Sequence, residues 1–269
     1  MIVKVLLSDE TLPVSKTRRI LTYCRLRAKQ AICGWTGFRP SGERLFGKQL
    51  AVGDYQSFVH LYEEIFMGLE YYFHASVVTP LIYDAGSNIG VATLFFKLLY
   101  PEANVVCFEP SASSFRYLQH NIRSCHLDNV TAYRYALDSR SGDEIELFSA
   151  ADASLMASTW RNRNAKHAVV ESVETAMLSS FVDRPIELLK MDIEGNEHAV
   201  VEDLRVRDKW RYIQQTIIEY HHHISGDDDR LASFLEVLEE EGFHYQIHAS
   251  FRPPFKRSQY QDIVIYAYR

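Results

Sequence analysis

Four ionisable side chains stand at the ends of two apolar runs. Ile186–Met191 leads into Lys190-Met191-Asp192-Ile193-Glu194-Gly195-Asn196-Glu197, and residues 212–220 close on Ile218-Glu219-Tyr220-His221. Glu219 and His221 are two apart on a strand, so they point to the same side. With the two runs as strands of a doubly wound sheet, Asp192 and Glu194 face the same crevice. Two chemistries suit this set. A carboxylate–imidazole pair can take a hydroxyl proton as general base, worth about 10²–10⁴ in rate. Alternatively, carboxylate oxygens with one His can hold a divalent cation that lowers the hydroxyl's pKa, although no ligand spacing demands a metal. Glu197 reads as a charge in a helix first turn, and His222 and His223 as surface residues.

A second constellation precedes the first. Leu81-Ile82-Tyr83-Asp84-Ala85-Gly86-Ser87-Asn88-Ile89-Gly90 takes an apolar run through an acid and two glycines, and Glu109 follows nineteen residues after Gly90. Gly86 permits a tight turn beside a ligand, and Gly90 permits close packing of helix and strand. Glu109, ending residues 105–108, can accept from both hydroxyls of a ribose. A dinucleotide site wants G-x-G-x-x-G facing a pyrophosphate. Here Asn88 replaces the middle glycine, and the Asp84 carboxylate would repel a pyrophosphate. An ammonium and a sulfonium suit that acid, which favours S-adenosylmethionine over a nicotinamide dinucleotide.

The elements that must position these groups alternate from residue 81 onward, the pattern of a mostly parallel α/β sheet covered on both faces. Strands are expected at 81–84, 105–108, 130–135, 186–191 and 212–220, with a closing pair at 243–248 and 263–268. Helices are expected at 89–100, 112–124 and 229–241. Ser141-Gly142-Asp143 turns into 144–148, a hairpin. Residues 150–166 are small, polar and irregular, and read as a mobile substrate loop, and Pro253-Pro254 marks another loop.

The chain has 269 residues, 47 % of them hydrophobic, enough for one large α/β domain with an extension. Residues 1–50 carry ten Lys or Arg and three acids, leaving the rest strongly acidic. That argues against a nucleic-acid groove. Ile20, Leu21, Cys24 and Ala28 have helical spacing among Lys16, Arg18, Arg19, Arg25, Arg27 and Lys29. This predicts a helix with its apolar stripe on the core and a cationic outer face, able to meet an acidic carrier protein or an anionic membrane surface. No apolar run is long enough for a membrane span. Cys24, Cys33, Cys107 and Cys125 fit neither a disulfide framework nor a metal spacing. With no secretory leader evident, the expected home is the cytoplasm.

Taken together, these motifs resemble the FkbM family of S-adenosylmethionine-dependent methyltransferases. The landmarks are the Asp84–Gly90 turn, Phe108-Glu109-Pro110, Asn121-Ile122, Ala136-Leu137, the 189–197 segment, Ile218-Glu219-Tyr220-His221, Gly242-Phe243 and Tyr266-Ala267-Tyr268-Arg269. Ser87 and Asn196 stand where the family often has Ala. The resemblance covers roughly residues 50–269. It implies a class I, Rossmann-like sheet of seven strands, the last antiparallel, as a methyltransferase domain over 80–269 with a mainly helical extension or cap over 1–79. It places Asp84, Gly86, Ser87, Asn88, Gly90, Glu109, Pro110, Ala136 and Asp192 at the cofactor, with Asp84 on its methionine portion. Asp192, Glu194, Glu219 and His221 are then the catalytic set. Family members commonly methylate hydroxyls of sugars, polyketides or other natural products. An N-methyltransferase is the alternative, disfavoured because no Asp/Asn-Pro-Pro-Tyr-type signature ends the fourth strand. The resemblance leaves oligomeric state and metal open.

Overall fold

The computed structural model describes residues 2, 5, 12–150, 153–158, 168–224, 230–249 and 260–269. Its centre is a seven-stranded sheet. Strands β3 (Leu81–Ala85), β4 (Asn104–Phe108), β5 (Val130–Tyr133), β10 (Ile186–Met191) and β11 (Ile213–His222) join β12 (His244–Ala249) and β13 (Gln261–Tyr268). Their order across the sheet is β12-β13-β11-β10-β3-β4-β5. All neighbours from β5 to β11 pair in parallel, whereas β13 runs antiparallel to both β11 and β12. This is the class I arrangement that the family resemblance implies. β3 and β10 are buried at every position, as strands covered on both faces must be. The chain leaves β3 toward β4 on one side, while β10 lies on the other. A crevice therefore opens beyond their carboxyl ends, at the reversal of strand order.

Helix α3 (Val91–Leu99) follows β3, and α4 (Ala112–Ser124) follows β4. Asn121 explains one sequence landmark. Its amide donates to the carbonyls of Ile89 and Ala51, while its oxygen accepts from Ala51 N–H. One side chain thereby ties α4 to the glycine turn and to the N-terminal hairpin of β1 (Gly42–Leu45) and β2 (Lys48–Ala51).

Two expectations require correction. The third strand does not continue to residue 135. β5 ends at Tyr133, and β6 (Ala136–Leu137) pairs instead with β9 (Ala168–Ala176) in a second sheet of order β6-β9-β7-β8. β7 (Glu144–Ala150) and β8 (Ala153–Ser158) complete it. The segment expected to be irregular therefore contains a strand, because β7 offers a ladder edge that satisfies its backbone. The rest of that expected loop, and Pro253-Pro254, lie outside the described residues.

The other correction concerns α1 (Lys16–Thr36). The helix forms as expected, with Ser15 accepting from Arg18 N–H as its N-cap and Gly37 ending it at φ 72°. Its orientation departs from that expected, with only Ile20 of the four stripe residues packed on the core. Arg19 and Leu26 are buried, while Leu21, Cys24 and Ala28 face outward. Arg19 donates to the Phe66 carbonyl (3.0 Å), and Tyr62 Oη donates to the Arg19 carbonyl (2.9 Å). The first bond gives the buried guanidinium an acceptor and offsets part of its desolvation cost, and the second ties the helix backbone to Tyr62. Below α1, α2 (Tyr55–Tyr62) and a π-helical turn (Glu63–Gly68) stack Tyr62 on Phe66, and Phe66 meets Phe95 of α3 edge-on at 5.3 Å.

Candidate active site

β3 ends at Ala85, and the backbone turns at Gly86 with φ 78°. A Cβ there would lie 1.7 Å from the Asp192 carbonyl oxygen, so glycine is demanded by the neighbouring strand end rather than by a ligand. Gly90, at φ 88°, comes within 2.9 Å of Leu118 Cδ1 if given a Cβ. Its close approach is therefore to α4. Between them, the N–H groups of Gly86 and Ser87 donate to the Phe108 carbonyl, and Ser87 Oγ donates to the Asp84 carbonyl. Asn88 N–H donates to Glu109 Oε2 (2.8 Å), and Ser111 N–H to Oε1 (2.9 Å). Turn and acid form one unit across β3 and β4. Burial pushes the Glu109 carboxyl up to about 7 against the pull of those two N–H donors.

Asp84 is fully buried and does not line the crevice. One oxygen accepts from Thr93 Oγ1 (2.7 Å), and the other lies 3.4 Å from Lys190 Nζ. Lys190 was not among the residues expected from sequence. It is 2 % exposed, donates to the Gly86 (2.6 Å) and Ala85 carbonyls, and approaches Asp192 at 3.8 Å. Tyr71 presents its ring face to the same ammonium at 5.2 Å. Burial alone would lower the Lys190 pKa, but Asp84, Asp192 and Glu219 hold it above its usual value. Asp84 thus acts on the crevice through a lysine.

A cleft lies over this turn, with about 860 Å³ of free space including its open mouth. Gly86, Ser87, Asn88, Glu109, Pro110 and Ala136 line it, with Asp192 and Glu194 at its inner end and Leu61, Ile65 and Tyr71 of the N-terminal region as a cover. Asn196 shapes its far wall by donating to the Leu137 carbonyl.

His221 is buried beside this cavity. Its Nδ1 lies 2.6 Å from Glu197 Oε1, and its Nε2 lies 3.3 Å from Glu194 and 3.7 Å from Asp192. Burial lowers the imidazole pKa, but the carboxylates of Glu197, Glu219 and Asp192 raise it further, to about 9. Glu197 stands in the first turn of the 197–206 helix as expected, but its carboxylate is turned to His221. It is 2 % exposed, accepts from Gly195 N–H, and stays below its usual pKa because His221 outweighs burial. The same strand-end turn that carries Glu194 at φ 59° aims both acids at one ring. Glu219 joins the set, its carboxyl pushed well above the usual range by burial and by Asp192. His222 and His223 are half-buried and stack on each other at 3.7 Å.

A groove of about 2360 Å³ runs from the C-terminal half of α1 past Tyr55 and His60 to Asp192, Glu194 and Glu219. Cavity and groove meet at Asp192 and Glu194.

The model of the methyltransferase FkbM domain matches residues 84–245 of this chain. The chain belongs to the FkbM methyltransferase family. Among similar proteins, Methyltransferase 1 of Beauveria bassiana is 26 % identical over 69 % of this chain and 80 % of its own length. The 31-O-demethyl-FK506 methyltransferase FkbM of Streptomyces tacrolimicus is 27 % identical over 68 % of this chain and 80 % of that protein. The crystal structure of methyltransferase FkbM from Methylobacillus flagellatus covers 80 % of this chain and 54 % of its own, with TM-score 0.46 and 15 % identity.

The FkbM family's S-adenosylmethionine fits the donor and acceptor groups of this crevice. Each Glu109 oxygen, holding one N–H donor, retains a lone pair for a further donor.

Proposed function

We propose that this FkbM-family enzyme transfers a methyl group from S-adenosylmethionine to a hydroxyl of a sugar, polyketide or other small natural product. The reading rests on one observation: a buried Glu197–His221 pair lies directly behind Asp192 and Glu194, the acids shared by the cofactor cavity and the large groove. An alcohol needs its proton removed for attack, whereas a neutral amine does not, so an oriented imidazole favours oxygen over nitrogen. The name of the Streptomyces tacrolimicus relative, which describes an O-demethylated acceptor, supports the same choice.

When bound, S-adenosylmethionine supplies an electrophilic methyl carbon on a sulfonium centre. Gly86, Ser87, Asn88, Pro110 and Ala136 would hold it, with Glu109 accepting from the ribose hydroxyls and Asp84 acting through Lys190. Gly90 serves by fixing the start of α3 against α4. Glu197 accepts from Nδ1–H and keeps the ring turned so that Nε2 faces the junction. Neutral His221 takes the hydroxyl proton at Nε2, while Asp192, Glu194 and Glu219 orient the acceptor. Holding the reacting atoms in line contributes up to about 7–11 kcal/mol. Residues 1–79 serve as the cap, through Leu61, Ile65 and Tyr71. The free thiols of Cys24, Cys33, Cys107 and Cys125 suit a reducing cytoplasm.

A second reading has one observation behind it. Asp192, Glu219 and His221 offer three ligand atoms within 4.8 Å of one another, enough for a divalent cation. That site needs Glu219 ionised, whereas burial and the neighbouring Asp192 hold its carboxyl toward the neutral form. Turnover in excess chelator separates the two, since only the cation site would lose activity.

Calorimetry with S-adenosylhomocysteine and NAD, followed by methyl transfer from labelled cofactor to hydroxyl and amine acceptors, tests the function. Binding of NAD alone, or transfer to amines alone, would overturn it. We expect His221→Ala to slow turnover about 10²–10⁴-fold with homocysteine-nucleoside affinity unchanged.

A further inference from the structure

The unexpected orientation of α1 has a physical consequence. On the helix surface, Leu21, Cys24, Ala28, Ile32 and Trp35 recur at steps of three or four residues, and all are exposed. Leu21 is 65 %, Ile32 57 % and Trp35 89 % exposed, and Phe38 just beyond the helix is 62 % exposed. The stripe from Leu21 to Trp35 is about 21 Å long at 1.5 Å per residue. Single apolar residues on a surface are ordinary, but a continuous stripe along one helix marks a contact face.

Charge identifies the partner. Residues 16–50 contain nine Lys or Arg and one acid, Glu43, which is buried and already paired with Arg25 and Lys29. Arg18, Arg39 and Arg44 are exposed around the stripe, as are Arg25 and Arg27, which pair with Glu43 and Glu63. Apolar centre, basic flanks and a tryptophan are what a helix lying in a bilayer interface requires: the stripe enters the headgroup boundary, and the long basic side chains reach anionic headgroups. An acidic carrier protein would need an apolar slot matched to the whole stripe beside its charges, whereas a bilayer interface supplies both without a shaped pocket.

We propose that the outward face of α1 docks this enzyme on an anionic lipid surface. The large groove opens along the same helix, at Cys33, Phe38 and Arg39, and ends at Asp192 and Glu219. Docking would hold the groove mouth at the membrane, where an amphiphilic hydroxyl acceptor partitions. The binding step is independent of the reaction assigned above, so either can fail alone.

The test is co-sedimentation of the full chain with phosphatidylcholine vesicles, with and without phosphatidylserine. We expect at least about tenfold stronger partition to the anionic vesicles, a blue shift of tryptophan emission, and loss of binding at high salt. The double variant Ile32→Glu/Trp35→Glu should lose about tenfold or more of that partition with its melting temperature unchanged, since neither side chain is buried. Equal partition of the wild type and the double variant would overturn the proposal. So would a dimer in light scattering that the double variant converts to monomer, because the stripe would then belong to a second copy. Failure to sediment with anionic vesicles, or capture of an acidic protein that persists in the double variant, would overturn it as well.

Discussion

The cofactor crevice and the His221 cluster share Asp192 and Glu194, yet they are built by different means. The crevice is shaped by backbone: Gly86 accommodates the Asp192 carbonyl, and Glu109 is held by two N–H groups. The cluster is shaped by charge: Asp192, Glu194, Glu197 and Glu219 surround one imidazole, with Lys190 below. Shape tolerates almost no substitution. A charge cluster tolerates isosteric change but shifts with every proton.

The sharpest way to break this contrast is at the turn. Gly86→Ala combines a left-handed φ with a 1.7 Å collision. It should abolish homocysteine-nucleoside binding and lower stability by about 3 kcal/mol or more. A melting curve and calorimetry superimposable on wild type would show that shape is not the controlling feature. Lys190→Met comes next. It leaves the Asp84 carboxylate buried without its cation, and should lower stability by about 3–5 kcal/mol in urea unfolding. Adding Asp84→Asn should restore much of that loss, and no restoration would uncouple the pair.

Glu197→Gln probes the cluster without changing its volume. Since His221 titrates at about 9, the neutral base is scarce below that pH, and kcat should rise with pH toward about 9. Removing the Glu197 charge lowers the His221 pKa, so the inflection should move toward acid; a fixed inflection would assign it to another group. The smallest effect belongs to Glu109→Gln, which leaves one oxygen for the two N–H donors and should weaken binding about tenfold. In the wild type, Glu109 is neutral below about 7, so affinity should fall as pH drops through that value. The Gln variant should lose this dependence. Affinity that ignores pH in both proteins would remove Glu109 from the ribose.

Local patterns made the sheet legible. Strands such as β3 and β10 are apolar throughout because both faces are covered, and glycines and acids at their ends mark the crevice. β9 and β8 were not legible as such, because their ladder partners are set by where β7 and β6 lie. The partner of Glu197 was not legible for a similar reason. A first-turn acid on an exposed helix and one facing a buried imidazole have the same local sequence, and only the distance from Glu197 to His221 distinguishes them. Lys190 sits in a strand whose periodicity gives no sign that a cation is needed between Asp84 and Asp192.

By itself, the sequence determined the alternation of strand and helix, the glycine turn, the acid that ends β4, and membership of the FkbM family. These depend on near neighbours along the chain, where the backbone's steric rules act. Tertiary structure decided which acid faces His221, that a lysine mediates Asp84, and that α1 turns Arg19 inward and Trp35 outward. Those outcomes depend on groups far apart in sequence whose desolvation is settled only when the surfaces close on each other.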